Sequence, residues 1–283
     1  MDSMEDRASR SAPGRGQAPR RTGHDPAKTG RRRSARLWIP QYHGGWAMVI
    51  VPPIMGIIEG GFRLAHLPLF LLWFVGYFLF YCATVWLRSH GKRRYLPPVR
   101  AYGIAVVALG LVTLACAPYL WRWAIAFAPL VAFAGWAAWK RDERSLASGL
   151  DTVVAACLML PVMWDVSTGG EAGLRASGHV WALTAMFFGY FAGTVFYVKT
   201  NVRKRKSNGY LAASIGWHVA WAIAAAVLAS RGDVVWWHAA VWVALAVRAI
   251  LVPLRGRVGK PVSVKAIGAG EVVTCLVFTA SLF

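Results

Sequence analysis

The sequence predicts an all-α fold, a polytopic bundle of about nine transmembrane helices. Hydrophobic residues make up 57% of the 283 residues, and long apolar runs are separated by short segments rich in Lys and Arg. A helix crosses the roughly 30 Å hydrocarbon core with about 20 apolar residues, and it satisfies its own backbone hydrogen bonds in lipid. The net charge of +20 could indicate nucleic-acid binding, but the basic residues alternate with apolar runs and form no continuous basic face. We therefore expect membrane lipids, and no nucleic acid, around this chain.

Residues 1–36 predict a tail outside the bundle. They contain ten Lys or Arg, four acidic residues and three Pro, with almost no apolar side chain larger than Ala. This composition is typical of a disordered, basic cytosolic segment. Residues 37–283 are expected to form one nine-helix transmembrane domain.

Hydropathy places the nine spans in order along the chain. Pro52 and Pro53 are expected to interrupt the first span, which Glu59 ends. The predicted spans are residues 47–58, 66–87, 101–120, 121–139, 150–166, 179–198, 210–229, 234–254 and 264–283.

The distribution of basic residues predicts the orientation. With nine spans, 28 of the 32 Lys and Arg fall on the side of the N-terminus, and the other side holds only Arg63, Arg122, Arg175 and Arg231. Positive charge is retained in the cytosol, so we expect a plasma (inner) membrane protein with a cytosolic N-terminus and an external C-terminus.

Small residues and tryptophans indicate further packing details. Helix contacts are expected at the small-residue pairs Gly189/Gly193, Ala212/Gly216 and Ala266/Gly270. An interfacial aromatic belt is expected from Trp121, Trp123, Trp139, Trp236 and Trp237.

Charged residues inside spans are candidates for function because they are costly in lipid. Arg248 and Glu271 lie at similar depth in consecutive spans, and we expect an ion pair with the side chains within about 6 Å. The pair could fix helix packing, or it could serve transport or catalysis if it borders a wet cavity. Asp151, near the start of span five, is expected to cap the helix N-terminus.

Metal and cofactor sites are not predicted. Cys82, Cys116, Cys157 and Cys275 lie far apart in apolar runs and are interpreted as packing residues. His218 and His43 are isolated and are expected to be hydrogen-bonded interior or interfacial residues.

A basic run follows span six. Lys199 and Arg203 are four residues apart and would share one helical face, next to Asn201. Arg88, Arg93 and Arg94 follow span two in the same way. These residues could bind an anion, or they could only keep the two loops in the cytosol.

The segment IPQYHGGWAMVIVPPIMG, residues 39–56, resembles the N-terminal signature of the YwiC-like membrane proteins. The matching positions are Pro40, His43, Gly44, Trp46, Ala47, Met48, Pro52 and Gly56. RDERSL after span four and VKTNVRKR after span six resemble the same family, which implies no particular reaction.

A more distant resemblance is to the UbiA-type intramembrane prenyltransferases. It implies a nine-helix bundle whose active-site loops follow helices two and six, at positions like RSHGKRRYLPPVRAYG (88–103) and KTNVRKRKSNGYLAASIG (199–216) here. Those enzymes bind a prenyl diphosphate through Mg²⁺ held by paired aspartates, whereas neither loop of this chain contains Asp or Glu. Magnesium-dependent prenyl transfer is therefore not expected.

The function predicted from these patterns is binding of an isoprenoid or another anionic lipid head group by the basic cytosolic loops. The site would comprise Lys199, Arg203, Arg88, Arg93, Arg94, Asn201 and His43. Two alternatives stay open, a small-solute transporter and a non-catalytic membrane partner of a respiratory or quinone-related complex, and the sequence does not decide whether the protein is an enzyme.

Overall fold

The computed structural model describes residues 37–40, 45–171 and 173–283, apart from the side chain of Leu174. Over these residues the chain forms nine α-helices and no strand, which confirms the all-α prediction. The predicted tail, residues 1–36, and His43 lie outside the described residues. The helices are α1 Gly45–Gly60, α2 His66–Arg88, α3 Leu96–Cys116, α4 Ala124–Trp139, α5 Leu146–Ser167, α6 Gly178–Val202, α7 Asn208–Ser230, α8 Trp236–Val258 and α9 Val264–Ala280.

Seven helices, α2 to α8, are long and apolar enough to cross a membrane, in some cases together with the short 3-10 turn that precedes them. This makes the protein a multi-pass membrane protein. Helices α1 and α9 have 16 and 17 residues, or about 24 and 26 Å at 1.5 Å per residue. That α1 and α9 also cross the membrane, which would give nine spans, therefore stays a prediction.

The interior of the bundle is built around α5 and α6. Within an apolar 18-residue stretch of each helix, 67% of the residues are buried in α6 and 50% in α5, but only 6% in α3. Helix α1 packs along α5 so closely that a Cβ on Gly56 would overlap the Leu160 carbonyl. Phe187, Trp242 and Phe278 fill the core between α6, α8 and α9.

The outer helices present apolar side chains to their surroundings. Ile104, Val107 and Leu111 of α3 are between 64% and 73% exposed. A surface of this kind fits a lipid environment, because exposed apolar area costs about 25 cal/mol per Å² in water. The structure thus places α3 at the lipid-facing edge of the bundle.

Helix α1 runs without a break through Pro52 and Pro53, so the interruption expected from the sequence is wrong. Pro53 has no N–H to give to the carbonyl of Val49 four residues earlier. The indole Nε1 of Trp73 on α2 donates to that carbonyl instead, at 2.9 Å. A discontinuous helix, which many transporters use to build a substrate site, is therefore absent from α1.

Only one of the three predicted small-residue pairs lies in a close helix contact. A Cβ on Gly189 would overlap the ring of Trp221, and one on Gly193 would press on His218, so α7 packs onto this face of α6. Gly216 and Gly270 have no neighbouring atom within 4 Å of such a Cβ. The contacts expected there are wrong, because the neighbouring helices pack on other faces of α7 and α9.

One member of the predicted aromatic belt also lies elsewhere. Trp121, Trp139, Trp236 and Trp237 are exposed, as an interfacial belt requires. Trp123 is 3% exposed and donates its indole N–H to Asp165. The sequence indicates this difference through Asp165 in the apolar run VMWDVS, because a buried carboxylate needs a hydrogen-bond donor beside it.

Candidate functional site

The turns after α2, α4 and α6 and the end of α8 are linked to one another at one end of the bundle. We call this region the basic end and define it as residues 88–95, 140–145, 203–207 and 255–263. It contains 14 Lys and Arg and only two acidic residues, Asp142 and Glu143. Ion pairs and hydrogen bonds between neighbouring turns hold the region together.

The α4–α5 turn lies between the two loops that the sequence singled out. Arg88 Nη1 pairs with Glu143 Oε1 at 2.8 Å, and the Nζ of Lys199 donates to the carbonyl of Arg144. The loops after α2 and α6 are therefore joined through residues 140–145. Neither loop has a carboxylate of its own, but the third turn supplies one to Arg88.

The α6–α7 turn is fixed by a residue that the sequence did not single out. Arg257, at the end of α8, donates to the carbonyls of Arg205 and Ser207 at 3.0 and 2.9 Å and to Asn208 Oδ1 at 2.8 Å. Its guanidinium thus uses three nitrogens to hold one turn. The sequence signal is weak, since Arg257 is one of several cations that follow span eight.

The predicted anion-binding residues divide into inward and outward groups. Asn201 is buried, and its amide donates to the carbonyl of Tyr197 at 2.9 Å. Arg88 and Lys199 have the protein partners given above. The exposed members are Arg93, Arg94 and Arg203, and next to Arg203 lies Lys204, an exposed residue that the sequence analysis did not assign to the site.

Two of the exposed cations lie over aromatic rings. Arg94 Cζ is 4.6 Å from the ring centroid of Tyr95, and its Nη2 donates to the Tyr95 hydroxyl at 2.6 Å. Lys204 Nζ is 5.6 Å from the ring centroid of Tyr210. These contacts orient the cations and leave them at the surface.

A second polar cluster lies inside the bundle, where the structure brings Arg248 and Glu271 together. Arg248 Nη1 is 2.8 Å from Glu271 Oε1, and the two side chains are 18% and 8% exposed. The N–H is not aligned with that oxygen, so the contact is an ion pair and not a well-formed hydrogen bond. We call this pair and its polar neighbours the intramembrane cluster.

Helix α6 supplies most of the surroundings of the intramembrane cluster. Thr194 Oγ1 donates to Glu271 Oε2 at 2.8 Å, and the Tyr190 hydroxyl donates to the Glu271 carbonyl at 3.2 Å. Arg248 Cζ lies 4.2 Å from the ring centroid of Tyr197. Sequence reasoning missed these three residues, although their spacing of four and three positions places them on one face of the helix.

Helices α7 and α9 complete the cluster. Arg248 Nη1 donates to Thr274 Oγ1 on α9 at 3.2 Å. His218 on α7 is buried, and its Nδ1 lies 2.7 Å from the Ser214 carbonyl. The imidazole is close enough to Arg248 for an electrostatic interaction. His218 is therefore the hydrogen-bonded interior residue that the sequence indicated.

The acidic residues of α5 have roles that the sequence did not predict. Asp151 does not cap the helix, because α5 begins five residues earlier and Ser145 accepts from the backbone N–H of Ser148. Asp165 is fully buried, and it accepts from Trp123 Nε1 at 2.9 Å and from the Gly173 N–H at 2.7 Å. Arg122 Nη2, 3.4 Å away, balances its charge.

Comparison with known proteins finds a similarity for the segment that begins just before α1 and ends within α5. Residues 39–164 match the family described as YwiC-like protein. This segment of the chain is similar to the YwiC-like family. The chain is also similar to a protein of Bacillus subtilis (strain 168) described as "Uncharacterized protein YwiC", with 27% identity over 186 residues, which is 64% of this chain and 74% of that protein.

The YwiC-like segment covers α1 to most of α5 and forms one wall of the intramembrane cluster. Ala47 and Met48, from the signature of the family, line a small cleft beside Glu271 together with Thr194. No solved structure matches the chain. The resemblance to UbiA-type enzymes therefore stays a prediction.

Proposed function

We propose that this protein is a plasma-membrane protein that binds an anionic lipid head group at its basic end. In this proposal the basic end faces the cytosol, and the ligand is an isoprenoid phosphate or another anionic lipid. The observation that carries the proposal is the exposure of Arg93, Arg94, Arg203 and Lys204 on two loops of the same end. These side chains occupy the level of the lipid head groups if α2 to α8 span the bilayer.

The chemistry of the basic end suits phosphate oxygens. Arginine offers paired N–H groups that match two oxygens of a phosphate, and lysine adds a point charge. Each basic residue near an anionic membrane surface contributes about 1 kcal/mol of attraction. The four exposed cations together supply enough attraction for a head group without a metal ion between carboxylates.

Three other basic residues, Arg88, Lys199 and Arg257, support the loops that carry these four. Glu143 holds Arg88, the Arg144 carbonyl holds Lys199, and Arg257 holds the α6–α7 turn. A supported loop loses less conformational entropy when a ligand binds. The predicted residues Arg88, Lys199 and Asn201 thus act in the proposal as support, and Arg203 acts as a direct ligand.

The double variant Arg203→Gln/Lys204→Gln tests the proposal. The full-length protein in a neutral detergent would be titrated with phosphatidylglycerol, farnesyl diphosphate or phosphatidylcholine in the presence of EDTA. We expect the wild type to prefer an anionic ligand over phosphatidylcholine. Losing two cations should weaken that binding roughly tenfold to thirtyfold, because about 2 kcal/mol is removed.

The matched control is Arg175→Gln/Arg231→Gln, which removes two exposed cations from the opposite end of the bundle. This variant should bind like the wild type. Equal affinity for phosphatidylcholine and both anionic ligands, or an equal loss in both double variants, would contradict a site at the basic end. Binding that returns only with Mg²⁺ would contradict direct recognition by the cations.

A further inference from the structure

Arg248 uses only part of its guanidinium group within the bundle. Its Nη1 contacts Glu271 and Thr274, and its flat face lies over the ring of Tyr197. The N–H groups of Nε and Nη2 are buried and have no hydrogen-bond partner among the described residues. A buried unpaired donor costs about 1–3 kcal/mol, and more when it carries charge.

The two unpaired nitrogens lie along one edge of the guanidinium plane. Their N–H bonds run parallel, and such an edge matches the two oxygens of a carboxylate or phosphate. Glu271 does not use this edge, because it contacts Nη1. Arg248 therefore has one anion partner in the protein and a second, unused edge for a partner with two oxygens.

Charge decides between the two kinds of oxygen ligand. Glu271 already neutralises Arg248, and an additional double negative charge would be expensive at this depth. A carboxyl group carries at most one negative charge and still offers two oxygens, and it is planar and smaller than a phosphodiester, which also carries a single charge. We propose that the Nε and Nη2 edge of Arg248 binds the carboxyl group of a small acid or an amphiphile inside the membrane-spanning region.

Two further polar features belong to the helices around the intramembrane cluster. On α7, which packs along α8, Ser214 is fully buried and its hydroxyl has no partner among the described residues. On the far side of Glu271, the cleft next to Thr194 has a volume of about 10 Å³, room for one water molecule. The cleft can therefore hold a water molecule beside Glu271, and the Ser214 hydroxyl is a second polar group without a partner among the described residues.

Helix α9 offers a route to the cluster. It carries Glu271, it packs mainly on α6 and α8, and Val273 and Leu276 on its outer face are 60% and 63% exposed. Arg248 itself is 18% exposed at the side chain. In the proposal, a ligand from the bilayer therefore enters past α9, and a soluble acid enters from the basic end.

The experiment compares carboxylic acids with matching alcohols. Full-length protein in a non-ionic detergent is titrated with oleate and oleyl alcohol, and separately with butyrate and butanol. We expect the carboxylate to bind at least tenfold more tightly than the alcohol in one of the two pairs. The pair that shows this preference identifies the ligand as a membrane amphiphile or as a soluble acid.

Two substitutions locate the preference at Arg248. Arg248→Lys keeps the charge and removes the paired edge, so the preference should disappear, whereas Arg255→Lys further along α8 should retain it. Glu271→Gln removes the competing negative charge, so carboxylate affinity should rise about tenfold. This gain does not depend on the folding of the Arg248→Lys variant.

The measurement is repeated in the Arg203→Gln/Lys204→Gln background, because oleate could also bind at the basic end. A site at Arg248 keeps its preference there, so its failure is distinguishable from a failure of head-group binding. Equal binding of acid and alcohol in both pairs would overturn the inference. So would an unchanged preference in Arg248→Lys or an unchanged affinity in Glu271→Gln.

Discussion

Two buried charges in this bundle differ in how completely they are paired. Asp165 has an N–H donor on each carboxylate oxygen and an arginine nearby. Arg248 contacts Glu271 through one nitrogen and leaves two others unpaired among the described residues. A fully paired buried charge is typical of a structural role, while unpaired donors are typical of a binding site.

The substitution Asp165→Asn tests the structural role at the scale of a residue. Asparagine has a single acceptor oxygen, so either Trp123 Nε1–H or the Gly173 N–H loses its acceptor. We expect a loss of about 1–3 kcal/mol in unfolding free energy, seen as a lower thermal midpoint of the detergent-purified protein. Asp233→Asn, at an exposed position, should leave the midpoint unchanged, and equal midpoints for both variants would contradict this role.

At the scale of an element, α6 connects the packing of the bundle to both candidate sites. Helix α7 packs against Gly189 and Gly193 of α6. Thr194 and Tyr197 of α6 contact Glu271 and Arg248 of the intramembrane cluster. Lys199, one turn before the helix ends, reaches the α4–α5 turn at the basic end. A shift of α6 would therefore disturb the core and both sites together.

The substitution Gly189→Ala tests the contact between α6 and α7. The added Cβ would overlap the ring of Trp221, which must move in a packed interior. Overpacking of this kind costs about 1–3 kcal/mol, so the thermal midpoint should fall. Gly216→Ala is the matched control, since no atom lies within 4 Å of its Cβ, and alanine there should be neutral or slightly stabilising.

The result that would contradict this packing is a stable Gly189→Ala protein together with a destabilised Gly216→Ala protein. That outcome would mean that α7 presents its other face to α6.

At the scale of the whole molecule, the main asymmetry is the distribution of charge between the two ends. The basic end carries 14 Lys and Arg, whereas the turns at the opposite end contain Arg63, Arg122, Arg175 and Arg231. The difference predicts which end is cytosolic. It also means that the proposed head-group binding and the predicted membrane orientation depend on the same residues.

Cysteine labelling tests the orientation. In a Cys116→Ser background, Lys206→Cys at the basic end and Asp233→Cys at the opposite end would be exposed to a membrane-impermeant maleimide in intact bacterial cells. We expect immediate labelling of Asp233→Cys and labelling of Lys206→Cys only after permeabilisation. Phe283→Cys should react like Asp233→Cys if α9 crosses the membrane. The opposite pattern at positions 206 and 233 would reverse the orientation, and a protected position 283 would leave α9 on the cytosolic side.

The helices were predictable because each needs only a local run of apolar residues. The sequence placed the nine helices close to their observed positions, and it placed Arg248 and Glu271 at matching depths, where the structure has them 2.8 Å apart. The roles of Asp165, Glu143 and Arg257 were not predictable, because their partners come from distant parts of the chain. The same reason explains the wrong expectations for Asp151, Trp123 and the contact faces of α7 and α9.

The amino-acid sequence by itself determined that this chain is a multi-helix membrane protein with a basic end and two charges at matching depth within neighbouring helices. These features depend on composition and on the rise of a helix, which are local properties. Only the tertiary structure decided that the Val49 carbonyl accepts a hydrogen bond from Trp73, and that Arg88 and Lys199 contact the α4–α5 turn. It also decided that the Nε and Nη2 groups of Arg248 are left without a partner among the described residues. Those outcomes depend on which helix faces pack together, and packing is a property of the whole bundle.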